Sequence, residues 1–206
     1  MQWIRDFQPD PERQRLVRGA LWITLLGNIG LALGKAIAAR LSGSVALYAD
    51  AANSASDVLY SLLIALGLWI AQRPPDLSHP QGHSRFEPLA GLVVAAAMTV
   101  AGYEAGRTAV ERLITGGVEL SLGWPTAALL LSATVKAGMY VAIRRTAVLT
   151  SSSTLDAAAK DNLADVLTSI ATFLGILGAY FIHPLADAVG GILVAAWILK
   201  SAWEVW

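Results

Sequence analysis

The sequence predicts an all-α protein, a bundle of six helices that crosses a membrane. Two observations carry this. Of 206 residues, 55% are hydrophobic and 15% charged, less charge than a soluble domain carries, and the mean hydropathy is +0.55. The apolar residues also fall into six runs, each near the roughly 20 residues that an α-helix needs to cross a hydrocarbon core. The expected domain organisation is a cytoplasmic N-terminal segment, 1–15, and a six-span transmembrane domain, 16–206.

The first span is expected at 16–39, after the polar stretch MQWIRDFQPDPERQR. That stretch has no apolar h-region and is not a cleaved signal peptide. Gly30 and Gly34 form a GxxxG pair there, read as a close helix contact, and Asn28 is expected to hydrogen-bond across helices. The second span, 44–72, opens with the polar run ADAANSASD. The segment RPPDLSHPQGHSRFEP follows, holding four of the chain's eight prolines, so it reads as a loop. The third span, 88–113, holds a second glycine pair, Gly102 and Gly106, and an i,i+3 ion pair of Glu104 with Arg107. The fourth, 122–143, stops before Arg144 and Arg145. Lys35 in the first span and Lys136 in the fourth either snorkel to an interface or neutralise a buried acid. The fifth and sixth are expected at 155–181 and 185–202, separated by His183 and Pro184; His183 reads as a surface residue. Trp69, Trp124, Trp203 and Trp206 lie near span ends, as interfacial anchors do.

Orientation follows from the basic residues. With a cytoplasmic N-terminus, the cytoplasmic segments hold Arg5, Arg13, Arg15, Arg18, Arg73, Arg85, Arg144, Arg145 and Lys200. The other side holds Arg40, Arg112 and Arg107. Both termini are therefore expected in the cytoplasm, with the cell membrane as the expected location. Fifteen basic residues balance fifteen acidic ones and no basic patch is interleaved with aromatics, so nucleic acid is not an expected partner. Cysteine is absent, which excludes disulfides, thiolate metal sites and cysteine nucleophiles.

The chemistry lies in two spans. Asp50, Asn53 and Asp57 are three and seven residues apart and share one face of the second span. Asp161 and Asp165, in AKDNLAD, are an i,i+4 pair on the fifth. An ionised side chain inside a membrane span costs a few kcal/mol even on permissive scales, so such residues mark ion pathways by default. The functional reading is a cation site built from Asn53, Asp57, Asp161 and Asp165. The bland reading is that some aspartates sit at helix ends and meet water; for Asp50, near the start of its span, capping and an accessory ligand role both stay open. All four candidates offer oxygen, which suits hard cations such as Mg²⁺, Ca²⁺ and Mn²⁺, with Fe²⁺ at the border. Zinc more often takes a histidine or cysteine. The rival class is an intramembrane enzyme, but neither a GxGD nor a DxxDGxxAR motif is present. A cation channel is a second rival, although it would not need deep carboxylates on two helices of one protomer.

ADAANSASD, then RPPDLSHPQGHSRFEPLAGL, then DAAAKDNLADVLTS with Asp187 at the start of the sixth span together resemble the cation diffusion facilitator family. The resemblance runs from about residue 16 onward. It implies six spans, a homodimer, and metal export in exchange for protons by alternating access. It places the metal on two residues of the second span and two of the fifth, which fall on Asn53, Asp57, Asp161 and Asp165. The zinc branch has His or Asp at the position of Asn53 and His at that of Asp161, so this set resembles the manganese branch. The expected substrate is Mn²⁺, with Fe²⁺, Zn²⁺, Co²⁺ and Cd²⁺ as alternatives, and no tightly bound cofactor is expected. The loop residues Asp76, His79 and His83 match the family pattern DxxHPxGHxRxE. They read either as a second metal site or as a turn whose histidines bond to Arg85, Glu87 or backbone. The family's usual soluble C-terminal domain has no counterpart in this sequence, so the homodimer is expected to be weakened.

Overall fold

The computed structural model describes residues 10–42, 45–115, 124–181 and 185–205. They form the six predicted helices, α1 (Pro11–Ser42), α2 (Val45–Ala71), α3 (Phe86–Thr115), α4 (Trp124–Thr150), α5 (Ser153–Phe181) and α6 (Ala186–Trp203). By length and composition four of them, within α1 to α4, are apolar enough to cross a membrane. Helix α5 has the length but carries Asp156, Lys160, Asp161 and Asp165 in its first half, and the apolar part of α6 is shorter, Ala188–Trp203. Large apolar side chains face outward on every helix, among them Leu33, Leu66, Val100, Leu131, Leu174 and Leu193. That is the surface a protein presents to lipid.

Two boundaries differ most from expectation. Helix α1 starts at Pro11, inside the polar segment expected to precede the first span. Asp10 accepts the backbone N–H of Arg13 at 3.0 Å, an N-cap followed by proline at the first helical position. Helix α4 runs on to Thr150, past Arg144 and Arg145. The two arginines are good helix formers, and Arg144 pairs with Asp156 of α5. The stop comes at Ser151, which takes φ 50°. Ser151 N–H donates to Val148 O at 3.4 Å and Ser152 N–H to Ala147 O at 3.1 Å, the paired bonds of a Schellman motif with serine in place of glycine. Ser152 Oγ then accepts Leu155 N–H at 3.3 Å, so one short turn ends α4 and caps α5.

The helices close into a ring: α1 packs on α2 and α4, α2 on α3, α3 on α6 and α5, and α5 on α4 and α6. Val17, Leu68, Val94, Met98, Ile143 and Leu155 fill the interior. Small residues set the close crossings. A methyl group added at Gly102 would lie 2.9 Å from Leu199 Cγ, and one at Gly106 3.4 Å from Ala195 Cβ, so the second glycine pair is the α3–α6 contact. The first pair is not: around Gly30 and Gly34 there is open space, and both line an apolar groove between α1 and α4. The tight spot on α1 is Gly27, against Met139.

Charged side chains tie one end of the bundle together. Arg13 bonds to Glu87 at 3.3 Å and to Thr150 O at 3.2 Å, and the Thr154 hydroxyl donates to Glu87 O. Lys160 reaches Glu204 at 3.1 Å, joining α5 to the end of α6. On α3, Arg107 prefers Glu111 at 2.9 Å to the expected Glu104, which is 3.9 Å away. Trp69 and Trp203 are exposed, as anchors should be, and Arg73 stacks 3.9 Å over Trp69. His183 and Trp206 lie outside the described residues, as do the side chains of Trp124 and Asp187.

Candidate metal-binding site

Asp57 sits on the inward stripe of α2 with the buried Ser54 and Ser61, one turn before it and one turn after it on the same face. Its backbone is held from two sides. Ser61 Oγ donates to Asp57 O at 2.7 Å, and Asn28 Nδ2 of α1 donates to Ser61 Oγ at 2.7 Å and to Asp57 O at 3.4 Å. The cross-helix bond expected of Asn28 is therefore made, and it is made at Asp57 and Ser61. Asn28 Oδ1 is buried without a partner among the described residues.

Helix α5 brings Asp165 to the same place. The two carboxylates meet at Lys136 of α4. Its Nζ lies 2.9 Å from Asp57 Oδ2 and 2.7 Å from Asp165 Oδ2, and its side chain is 4% exposed. Helices α2 and α5 share no extensive direct contact, so the lysine joins them. The sequence left two roles open for Lys136, and the geometry selects neutralisation of buried acids. Asp161, one turn before Asp165, lies within electrostatic range of Asp165, Lys136 and Asp57, and Lys35 within range of Asp57.

Asn53 stands one turn from Asp57 toward the start of α2 and is exposed; no hydrogen bond joins it to the aspartates among the described residues. Asp50 lies on the first turns of α2, and its side chain is outside the described residues. Of the expected set, then, Asp57 and Asp165 hold one cation, the Lys136 ammonium, Asp161 lies within electrostatic range of all three, and Asn53 is exposed one turn from Asp57. Lys160 is not a partner of Asp161; it turns to Glu204 and to Asp156 at 3.8 Å.

The loop between α2 and α3 assembles a second cluster. One ligand atom from each of Asp76, His79 and His83 falls within 4.8 Å of the others. Asp76 Oδ1 accepts the backbone N–H of His79 at 2.6 Å and of Ser78 at 2.9 Å. Those bonds, the His79 amide first, hold the Asp76 carboxyl below the usual carboxylate range. The carboxylate's contribution to the turn is full at neutral pH and fades as pH falls through that lowered value. His83 is buried, shares Nδ1 with Pro74 O at 3.2 Å and stacks on Phe86. The backbone partner expected for a turn element is present. The convergence of two imidazoles and a carboxylate is equally what a transition ion would use. Expected result: if the loop binds metal, a His79→Ala, His83→Ala variant loses one step of a Zn²⁺ calorimetric titration and keeps the membrane step. Loss of every step would move the main site into the loop.

Residues 21–206 match the cation efflux transmembrane domain. The chain belongs to the cation diffusion facilitator family. It is 36% identical over 93% of its length to an uncharacterised transporter of Methanocaldococcus jannaschii. It is 34% identical over 91% of its length to the manganese efflux system protein MneS of Bacillus subtilis. It is 32% identical over 79% of its length to the magnetosome protein MamM of Magnetospirillum gryphiswaldense. It spans 68%, 64% and 51% of these relatives, respectively. Relatives in this family are named as transporters, in keeping with the expectation of a carrier and not an enzyme. An integral, multi-pass membrane protein also agrees with the helices described above.

Proposed function

We propose that this chain is the membrane domain of a carrier that exports a divalent cation, Mn²⁺ first among the candidates, in exchange for protons. The observation that carries the reading is the meeting of Asp57 and Asp165, from two different helices, around one buried cation position. Carboxylates that close repel one another when all are ionised. A divalent ion or protons relieve that repulsion, so the two compete. The metal ligands in this reading are Asn53, Asp57, Asp161 and Asp165, with Asp50 as an accessory. An all-oxygen set suits Mn²⁺, lies close to the needs of Fe²⁺, and denies Zn²⁺, Co²⁺ and Cd²⁺ the nitrogen or sulfur ligands they take best, so geometry and not raw affinity must exclude zinc. The manganese-exporting relative supports the same choice. In this reading residues 1–15 and the C-terminal end are cytoplasmic, 16–206 is the transporting domain, the location is the cell membrane, and the working unit is a homodimer.

The test is flux in proteoliposomes that hold a manganese-sensitive dye. Mn²⁺ movement is expected to follow an imposed pH gradient and to carry protons the other way. Equal flux with no gradient would make the protein a channel. Absence of any gradient-dependent flux, in protein that binds Mn²⁺, would remove the antiport.

A further inference from the structure

A metal-free carrier whose cation position is enclosed by aspartates needs something to hold those aspartates together. In this chain the holder is part of the protein. Lys136 leaves the middle of α4, is buried along its length, and ends with its ammonium between Asp57 and Asp165 at 2.9 and 2.7 Å. It spends both contacts on the two carboxylates that come from opposite sides of the site. Lys35 of α1 also lies within electrostatic range of Asp57.

We propose that Lys136 is a tethered counter-cation, which occupies the transport site in the metal-free carrier and must be displaced by the incoming divalent cation. This rests on the reading of Asp57 and Asp165 as metal ligands. The argument is spatial. A divalent cation binds carboxylate oxygen at about 2.0–2.6 Å, so an ion held by Asp57 and Asp165 together would occupy the space that the ammonium now fills. Two cations that close would also repel strongly in a buried site. Lysine suits the task, because its ammonium is a compact charge on a flexible four-carbon stem, whereas arginine is a rigid planar fork. The lysine acts as a permanent cation throughout, and no change in its protonation is involved. Asp161 lies within electrostatic range of Lys136 without pairing directly with it among the described residues and offers the ammonium another partner once the metal has taken the first two. The consequence is that metal affinity is set partly by a competitor built into the chain. The empty carrier also reorients with its site neutralised in part by Lys136.

The experiment compares Mn²⁺ affinity, by calorimetry on purified protein, in the unmodified chain, in Lys136→Met and in Lys136→Arg. Methionine fills the channel of the lysine stem without its charge. Lys136→Met is expected to bind Mn²⁺ at least about tenfold more tightly, because one unit of competing charge is gone, while Lys136→Arg gains nothing. Equal or weaker binding by well-folded Lys136→Met would overturn the proposal and leave the lysine as a pin between helices. A second measurement is made on the unmodified chain and uses a variant only to assign the signal. In protein labelled with ¹³Cε-lysine, which has four lysines, diamagnetic Cd²⁺ is expected to shift one buried resonance, assigned by its absence from Lys136→Arg. A Lys136 resonance that stays in place while Cd²⁺ binds would equally overturn it. Adding Asp165→Asn to Lys136→Met separates the two layers. Loss of the tightened binding keeps Asp165 as a ligand, whereas its persistence would refute the ligand reading, and the displacement with it.

Discussion

Asp57→Asn, Asp161→Asn and Asp165→Asn are each expected to weaken Mn²⁺ binding by at least about a hundredfold and to abolish net transport. A unit charge at contact distance from another, at the effective dielectric of a protein site, is worth about 4 kcal/mol, and the ion carries two charges. A hundredfold loss corresponds to only about 2.7 kcal/mol, so the prediction sits at the low end of that arithmetic. The three variants differ in what else they disturb. Asp57 and Asp165 also hold Lys136. Removing one partner of a buried pair costs about 3–5 kcal/mol, although Asp165, at 36% exposure, keeps part of its hydration and falls toward the surface range. Their loss of function is therefore mixed with a loss of stability. Asp161 makes no direct ion pair with Lys136 among the described residues, so Asp161→Asn is the clean case. It is expected to melt close to the unmodified protein and still fail to bind. Calorimetry together with a thermal melt in detergent reads both quantities. Near-normal transport by well-folded Asp161→Asn would take Asp161 out of the site.

The aspartates were legible because helical spacing is rigid: residues three or four apart share a face whatever surrounds them, and a charge in an apolar run announces itself. Lys136 announced itself in the same way. What the sequence does not contain is which acid it neutralises, because α2, α4 and α5 meet only through the ring of helix contacts. Asn53 illustrates the limit of spacing. It lies on the same stripe as Asp57, yet one turn nearer the start of α2 its side chain is exposed, since depth and tilt decide burial and neither is written in i,i+4. The glycine pairs make a similar point. Both have the GxxxG spacing, but only Gly102 and Gly106 meet another helix, because α6 lies against that face of α3 while the face of α1 that holds Gly30 and Gly34 opens on a groove. The extension of α4 past Arg144 was hidden for another reason. Arginine pairs mark the membrane edge, not the end of a helix, and the stop is encoded in a serine that adopts a conformation more usual for glycine.

Asn53→His combined with Asp161→His is expected to move preference from manganese towards zinc, by about tenfold or more in the ratio of dissociation constants. Imidazole nitrogen is a better partner for zinc than for manganese, so each added ring widens the gap between the two ions. The substitutions also subtract. Asp161 is a third carboxylate, within electrostatic range of the other two and of Lys136. Replacing it with a neutral ring leaves two acids against one lysine, and a hard cation that relies on charge loses most. Manganese affinity is therefore expected to fall outright, while zinc recovers part of its loss through the new nitrogen. The two positions should not contribute equally. Asp161 lies within electrostatic range of Lys136, Asp57 and Asp165, whereas Asn53 is exposed one turn from Asp57, so its imidazole must turn inward along the α2 stripe to reach the ion. The single variant Asp161→His is accordingly expected to produce most of the shift, and Asn53→His alone little of it. Competition calorimetry with Zn²⁺ and Mn²⁺ on the two single variants and the double variant gives all three ratios. A ratio unchanged in the double variant would mean that selectivity is set by the geometry of the helices around the site and not by the atoms these two residues present.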